Sequence, residues 1–371
     1  MSEQSVIDLF SGVGGLSLGA ARAGFSVKGS VELDPIASEY HAVNFPNCHH
    51  LLEDVSALTG GQLLKMCHVA KGQLTGLIGG PPCQGFSLIG KREKFDPRNQ
   101  LFMHFFRLVA ETRPAFFVAE NVPGILKGDS YEVVRTALEQ LPSSYKVLKP
   151  IQIRANEFGA PTTRTRVFFI GYDPKRVKGI SEQSFLPDPG WERVTVGEAL
   201  QGLPNVESDW QSEDQSWRKI RAMGRGYFNE RTRANIPSGV GNADATSRVG
   251  RNLVSGFLGT AHAPETVARF DSLAHGEVDK IYRSPRLDPN GLCPTIRAGT
   301  NSDKGSFQAV RPIHPTYPRV ISPREAARLQ GFPDWFVFHP TKWHSFRQIG
   351  NSVSPIVAER VLSTLRLAIK Y

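Results

Sequence analysis

The sequence predicts an α/β protein: a doubly wound, mostly parallel sheet covered on both faces, joined to a smaller domain of irregular structure. Short apolar runs of strand length alternate with helix-length stretches through the first half of the chain, the pattern of a sheet whose helices cross from strand to strand. Turn-forming residues follow those strands, as at Ser11 to Gly15 and Gly79 to Ser87. After about Asp173 the alternation stops, and that change marks the second domain.

The elements follow in order. Val6, Ile7, Leu9 and Phe10 read as a buried strand, broken by Ser11 to Gly15 before a helix from Leu16 to Ala23. A strand is expected near Val27 to Glu32, a helix from Pro35 to Asn44, a strand at Leu74 to Ile78, a helix from Gln100 to Glu111 and a strand at Ala115 to Ala119. Two further apolar strands, Lys146 to Ile153 and Val167 to Tyr172, complete the set. From Asp173 to Ala309 the chain is rich in Gly, Pro, Asn and Arg and shows no sustained period. Order returns with a helix from Pro323 to Gln330, N-capped by Ser322, and a helical tail from Pro355 to Ile369. The expected division is 1–172, 173–310 and 311–371, the last segment completing the first domain.

Forty-four Lys and Arg against 35 Asp and Glu leave a formal charge of +9, which suits a polyanionic partner and equally a merely basic protein. Cys48, Cys67, Cys83 and Cys293 stand apart with no CxxC pair, so neither a zinc site nor a disulfide framework is suggested and no metal is expected. The first ten residues lack a basic region followed by an apolar stretch, and no run of about 18 apolar residues occurs. A soluble, unexported protein of a reducing cytoplasm is expected, without membrane attachment.

Three loops at the ends of strands carry chemistry. Asp8-Leu-Phe-Ser-Gly-Val-Gly-Gly15 places glycines where backbone must approach a ligand at a helix N-terminus. Counting from Gly12, the third position of a GxGxxG fingerprint is Ser17, which disfavours a pyrophosphate and leaves an adenosine ligand without phosphates. Glu32, after the second strand, stands where an acid accepts ribose hydroxyls; a glycine turn needed only for packing is the alternative. Gly79-Gly-Pro-Pro-Cys-Gln-Gly-Phe-Ser87 crowds rigid and permissive residues around one thiol, against the usual reading of cysteine as a buried hydrophobe. Glu120-Asn-Val-Pro-Gly124 sits in the equivalent place after the next strand, and a thiol and a carboxylate at two such loops are explained together.

These residues, in this order, resemble the cytosine-5 DNA methyltransferase family across nearly the whole catalytic part. The resemblance implies a Rossmann-like fold that uses S-adenosylmethionine, yielding S-adenosylhomocysteine. Asp8, Phe10, Ser11, Gly12, Gly14 and Gly15 look like its cofactor loop, with Phe10 placed to pack on adenine. Glu32 with Leu33 resembles the ribose acid, Asp54 with Val55 the adenine contact, and Pro81-Pro-Cys83 the nucleophile motif. Glu120-Asn-Val122 is similar to the base-holding motif and Arg164-Thr-Arg166 to the paired arginines. Arg324 to Gly331 looks like a late structural helix, and Asn351-Ser352-Val353 like part of the closing motif beside the cofactor. One departure is Thr162, where the family usually carries glutamine; a local rearrangement of hydrogen bonds is expected there.

The chemistry explains the residue types. Carbon 5 of cytosine is too weak a nucleophile to take a methyl group until a thiolate adds at carbon 6, a role for Cys83. Glu120 would hydrogen-bond ring nitrogen 3 and the exocyclic amine, and Arg166 the oxygen at carbon 2. A stacked base is out of reach, so the cytosine is expected to be flipped. Ser87, Lys91, Arg92 and Arg98 belong to a basic stretch, Ser87 to Asn99, with the makeup of an ordinary solvated loop or of the lid over DNA that the resemblance implies, and Gln84 beside Cys83 is expected at DNA as well. Between Arg218 and Arg251 eight basic residues face two acids, and Arg231, Arg233, Arg248 and Arg251 are expected at phosphates or guanines. Thr295, in Thr295-Ile296, resembles a dipeptide of the family's target-recognition domain.

Duplex DNA is therefore the expected partner of a monomeric enzyme of bacterial or phage origin, working at the nucleoid. A cognate restriction endonuclease is a candidate companion. An RNA cytosine-5 methyltransferase and a catalytically silent DNA-binding relative are the alternatives. A nicotinamide oxidoreductase is opposed by the broken glycine fingerprint.

Overall fold

The protein is described here by a computed structural model covering residues 3–82, 97–187, 193–206, 217–221, 224, 226–233, 236–299 and 311–370. Its sheet grows from β1 (Ser5–Leu9), every residue of which is buried. Side chains alternate across a strand. Val6 accordingly joins a core with Leu18, Phe116 and Phe168, while Ile7 and Leu9 join a second core with Phe105, Phe117 and Phe169 on the opposite face. Burial on both faces is why these strands read as continuous apolar runs rather than alternating ones.

Among the described residues the sheet has eight strands. Next to β1 lie β2 (Ser26–Val31) and β3 (His49–Leu51) on one side, and β4 (Gly76–Gly79) and β5 (Phe116–Asn121) on the other, all parallel. β8 (Thr165–Tyr172) then runs antiparallel to β5 and carries β6 (Lys146–Val147) and β7 (Ile151–Arg154), both antiparallel to it. The single strand expected from Lys146 to Ile153 is thus two, with Pro150, which has no N–H to give a ladder, between them. The order places the topological switch at β1 and β4, where ligands of open α/β sheets enter at the carboxyl ends.

Helices α1 (Gly15–Arg22), α2 (Pro35–Asn44), α3 (Gly60–Met66), α4 (Pro97–Thr112) and α5 (Asp129–Glu139) connect these strands. In the second half α6 (Val196–Leu200), α7 (Tyr227–Arg233), α8 (Ala243–Gly250) and α9 (Pro264–Ser272) surround a two-stranded ribbon of β9 (Arg218–Lys219) and β10 (Leu253–Val254). These helices hold five to nine residues, too few for a 3.6-residue period to emerge from the sequence. The core does not stop at the expected boundary: Ile220, Phe228, Val249, Val254 and Phe257 share one cluster with Phe116 and Phe168 of the sheet.

The chain closes with α10 (Pro323–Leu329), α11 (Lys342–Asn351) and α12 (Pro355–Ala368). Ser322 and Glu325 form a capping box at α10, whose Arg328 pairs with Asp334 at 2.7 Å, both side chains fully buried. α12 lies against α1 so closely that a Cβ on Gly19 would sit 2.3 Å from that of Ala358. No helix among the described residues is long and apolar enough to cross a membrane.

Candidate active site

A cavity of about 420 Å³ opens at the carboxyl ends of β1, β2, β4 and β5, within the size range of ligand sites. Its floor is the turn after β1. Phe10 there has φ +56°, a left-handed conformation that costs a bulky residue roughly 1–3 kcal/mol and that persists only where the surroundings impose it. Gly12 follows at φ +54° with open space where a side chain would stand. That turn aims the Gly12 N–H at Glu32 Oε2 at 2.8 Å, while Asp34 N–H donates to Oε1 at 2.9 Å. Burial raises the Glu32 carboxyl above its ordinary range, against the pull of those two amides. Each oxygen keeps a lone pair for a further donor, such as a hydroxyl.

The far wall is built by the end of the chain. A Cβ on Gly15 would lie 2.4 Å from the Val353 carbonyl oxygen, so only glycine lets the 351–353 segment close on α1. Gln330 donates to the Ser352 carbonyl at 2.9 Å and holds that segment from behind. Asp34 caps α2 by accepting from Ile36 and Ala37 and also pairs with Arg347 of α11 at 3.0 Å.

Glu120, at the end of β5, is 8% exposed, and its Oε1 lies 2.6 Å from Nε of Arg166 at the start of β8. Burial raises its carboxyl, with Arg166 and Arg164 pulling the other way. A group poised in this way can hold a proton and give it up. Arg164 acts on the backbone instead. It donates to the carbonyls of Gly350 at 2.9 Å and Ile296 at 3.3 Å, tying the wall and the 293–298 segment to β8. Its Nε, buried at the cavity, has no hydrogen-bond partner among the described residues. Thr162 is fully buried; its hydroxyl accepts from Arg164 N–H at 3.3 Å, and Thr163 N–H donates to the Cys293 carbonyl at 2.9 Å. The rearrangement expected from Thr162 is thus a short turn braced by the segment at Cys293. Asn121 donates to the Pro81 carbonyl at 3.1 Å and fixes the Pro81-Pro82 turn that leads to Cys83.

The family model for C-5 cytosine-specific DNA methylases matches residues 4–366. The chain belongs to that family. A type II methyltransferase of Xanthomonas oryzae pv. oryzae, M.XorII, is 40% identical to this methylase over 370 residues, covering 98% of this chain and 85% of that one. M.DdeI, a type II methyltransferase of Desulfomicrobium norvegicum, is 33% identical, covering 96% and 86%. Among solved structures, a DNA modification methyltransferase encoded within an E. coli prophage superposes with a TM-score of 0.89 at 50% identity, covering 99% of each chain. The S. pombe Dnmt2 methyltransferase, at 16% identity and a TM-score of 0.63 over 98% of each chain, shares the fold. Family and fold imply use of S-adenosylmethionine.

Around the cavity of this methylase the structure gathers Phe10, Ser11, Gly12, Gly15, Glu32, Pro81, Glu120, Arg164, Arg166, Asn351, Ser352 and Val353. Other expected residues lie elsewhere. Asp8 is wholly buried behind the floor, accepting from Ser17; Gly14 packs on Phe45; Leu33 is 64% exposed; Val55 belongs to the second core. Asp54, half-buried, accepts from Ser56 N–H. Gln348, which opens the closing motif Gln348 to Val353, lines the cavity too, whereas sequence reasoning passed over Asp34, Ile36, Ala37, His344 and Arg347, which also line it. α11, which carries His344 and Arg347, begins after Pro340 and the N-cap Thr341, the signal that could have found it.

Cys83, Gln84, Ser87, Lys91 and Arg92 lie outside the described residues, as does the side chain of Arg98. In the basic stretch three of the four arginines expected at phosphates or guanines meet other groups of the protein. Arg231 is engaged inside the protein, paired with Glu359 of α12 at 2.8 Å, because α7 docks there. Arg233 donates to Asn252 and to the Arg221 carbonyl, Arg248 pairs with Asp244 at 2.8 Å over the Trp217 ring, and Arg251 is exposed. Thr295 is half-buried between Cys293 and Ile296, which are both buried.

Proposed function

We infer that the chain is the modification enzyme of a type II restriction system, methylating carbon 5 of a cytosine flipped out of duplex DNA through a covalent bond to Cys83. The observation that carries the reading is Glu120, buried beside Arg166 and sharing a cavity with the Pro81-Pro82 turn that precedes the thiol. The names of the relatives supply the restriction-modification context. The division into a catalytic unit, 1–172 with 311–371, and a target-recognition unit, 173–310, belongs to the same proposal, with the 293–298 segment serving as the brace between them.

The cavity fits the methyl donor on its own terms. Glu32 is fixed by two amides with lone pairs to spare for ribose, Gly12 leaves space, and Ser11 Oγ is buried at the wall without a hydrogen-bond partner among the described residues. Phe10, Glu32 and the Asn351 to Val353 segment would hold the group, which supplies an electrophilic methyl on a sulfonium centre.

The protein's own residues do the rest. The Cys83 thiolate adds to carbon 6 as Glu120 gives a proton to nitrogen 3, so the electron pair displaced from the 5,6 double bond is available at carbon 5. After carbon 5 is methylated it loses its proton to a base, the thiolate leaves, and Glu120 recovers the proton from nitrogen 3. Arg166 faces the same pocket and orients both Glu120 and the oxygen at carbon 2. Arg164 positions the wall rather than the base.

Duplex DNA with 5-fluorocytosine at the target tests this, because fluorine cannot leave carbon 5 as a proton does. A protein–DNA species that survives denaturing electrophoresis, mapped to Cys83 and absent in Cys83→Ser, is expected. Normal methylation of ordinary DNA with no adduct on the fluorinated duplex would overturn the covalent step.

A further inference from the structure

Behind the cavity floor lies a buried polar chain that the methyl transfer does not use. The Ser17 hydroxyl donates to Asp8 Oδ2 at 2.7 Å, so its oxygen is left to accept from His41 Nε2, 3.0 Å away. That fixes the His41 proton on Nε2 and leaves Nδ1 as a bare lone pair. Nδ1 faces His50 Nε2 at 3.0 Å. Two imidazole nitrogens thus face each other at hydrogen-bond distance, a pair that a shared proton or a cation between them can join.

The surroundings favour a metal ion over a shared proton. Cys48 Sγ stands with the two ring nitrogens, all three atoms within 4.8 Å of one another. The nitrogen spacing is close to that spanned by two ligands about 2.0–2.1 Å from one tetrahedral zinc. Asp8 Oδ1 is buried without a hydrogen-bond partner among the described residues, an acceptor that a nearby positive charge would offset. His41, through Ser17 to Asp8, also has the carboxylate-linked support that metal-binding histidines usually carry.

We propose that His41, Cys48 and His50 form a site for a divalent transition-metal ion of the zinc type, with Ser17 and Asp8 as its outer support. Two histidines and one thiolate suit zinc, and a water completes four ligands on the side where His50 is half-buried. Binding exchanges the Cys48 thiol proton, released to solvent, for the metal. Counting cysteine pairs could not reveal this site, since its ligands lie on α2, β3 and the turn between them. His41 stacks on Phe45 at 4.4 Å, and a Cβ on Gly14 would meet Phe45 at 2.4 Å, so a filled site would stiffen the cofactor turn from below.

Cobalt(II) titrated into untagged, chelator-stripped full-length protein tests the site. One equivalent should bind, with a tetrahedral spectrum and a thiolate charge-transfer band, and zinc(II) should displace it. Cys48→Ala should remove that band, His50→Ala should weaken binding at least about tenfold, and Ser17→Ala about 10–100-fold as an outer-support loss. Circular dichroism checks that the variants fold. Failure of the wild-type protein to take up cobalt(II), or uptake unchanged in both Cys48→Ala and His50→Ala, overturns the proposal and assigns the contact to a shared proton.

Discussion

Replacing Glu120 by glutamine separates the proton-holding role of this side chain from its structural one. The two are nearly isosteric, but the amide carries no charge opposite Arg166, whose Nε lies 2.6 Å from the carboxylate with only 16% of the arginine side chain exposed. Leaving a buried charge uncompensated costs about 3–5 kcal/mol. The amide oxygen still accepts one hydrogen bond, which brings the expected loss of stability to about 1–3 kcal/mol. Loss of the proton donor should slow methyl transfer far more than that partial compensation suggests, by about 10²–10⁴-fold. Single-turnover transfer of labelled methyl groups to target duplex, with urea denaturation in parallel, measures both. Because burial raises the Glu120 carboxyl, the wild-type rate should fall on the alkaline side as the proton is lost, and the variant should lack that limb. A variant rate within about threefold of wild type, with the alkaline limb intact, would remove Glu120 from the proton path.

Gly15→Ala should push Val353 off α1, cost about 1–3 kcal/mol of stability and weaken S-adenosylmethionine binding in calorimetry, since the added Cβ would sit 2.4 Å from the Val353 oxygen. Unchanged affinity would detach the 351–353 segment from the cofactor site. Arg231→Met should destabilise the protein by about 1–3 kcal/mol in urea, because Glu359, 10% exposed, is left among the described residues with Arg22 at 4.0 Å. A loss of DNA affinity with no loss of stability would return Arg231 to the DNA interface. Buried His314, whose Nδ1 accepts from Thr316 and Tyr317, has its pKa pushed down to about 4 by burial. The unfolded chain then binds the extra proton between about pH 6.5 and 4, so this contribution is intact above 6.5 and is lost as pH falls to 4, up to about 3 kcal/mol. Thermal denaturation across that window should show a shallower acid loss in His314→Gln; parallel curves would exclude His314.

Much of the architecture was legible because its determinants are local. Pro35 to Asn44 was read with the bounds the structure shows, since Asp34 and Pro35 are a capping residue and a first-turn proline whose effects do not depend on distant contacts. The strands showed as apolar runs because both faces of the sheet are covered. Glu32, Glu120 and the glycines were legible as residues whose types are costly at strand ends unless they are used. The short helices around Arg218 to Arg251 were not, because they are held by tertiary packing rather than by their own period.

What the sequence by itself determined was the order of the chemistry-bearing loops and the residue types within them. The tertiary structure decided which of those residues meet. Asp8 and Gly15 belong to one sequence motif, yet Asp8, on β1, turns to Ser17 behind the floor while Gly15, at the start of α1, faces Val353 at the cavity wall. Arg164 and Arg166 are two residues apart, but Arg164 lies just before β8, where the Thr162 turn sets its direction, and reaches Gly350 and Ile296, while Arg166 on β8 reaches Glu120. Arg231 reads as a free cation until α7 is laid on α12 and Glu359 takes its charge. His41, Cys48 and His50 converge only because the α2-to-β3 turn folds back beneath the floor. Motif order is written in the chain, but contact between residues far apart depends on strand register and on which helix faces are left to pack, and those are settled only when the whole core closes.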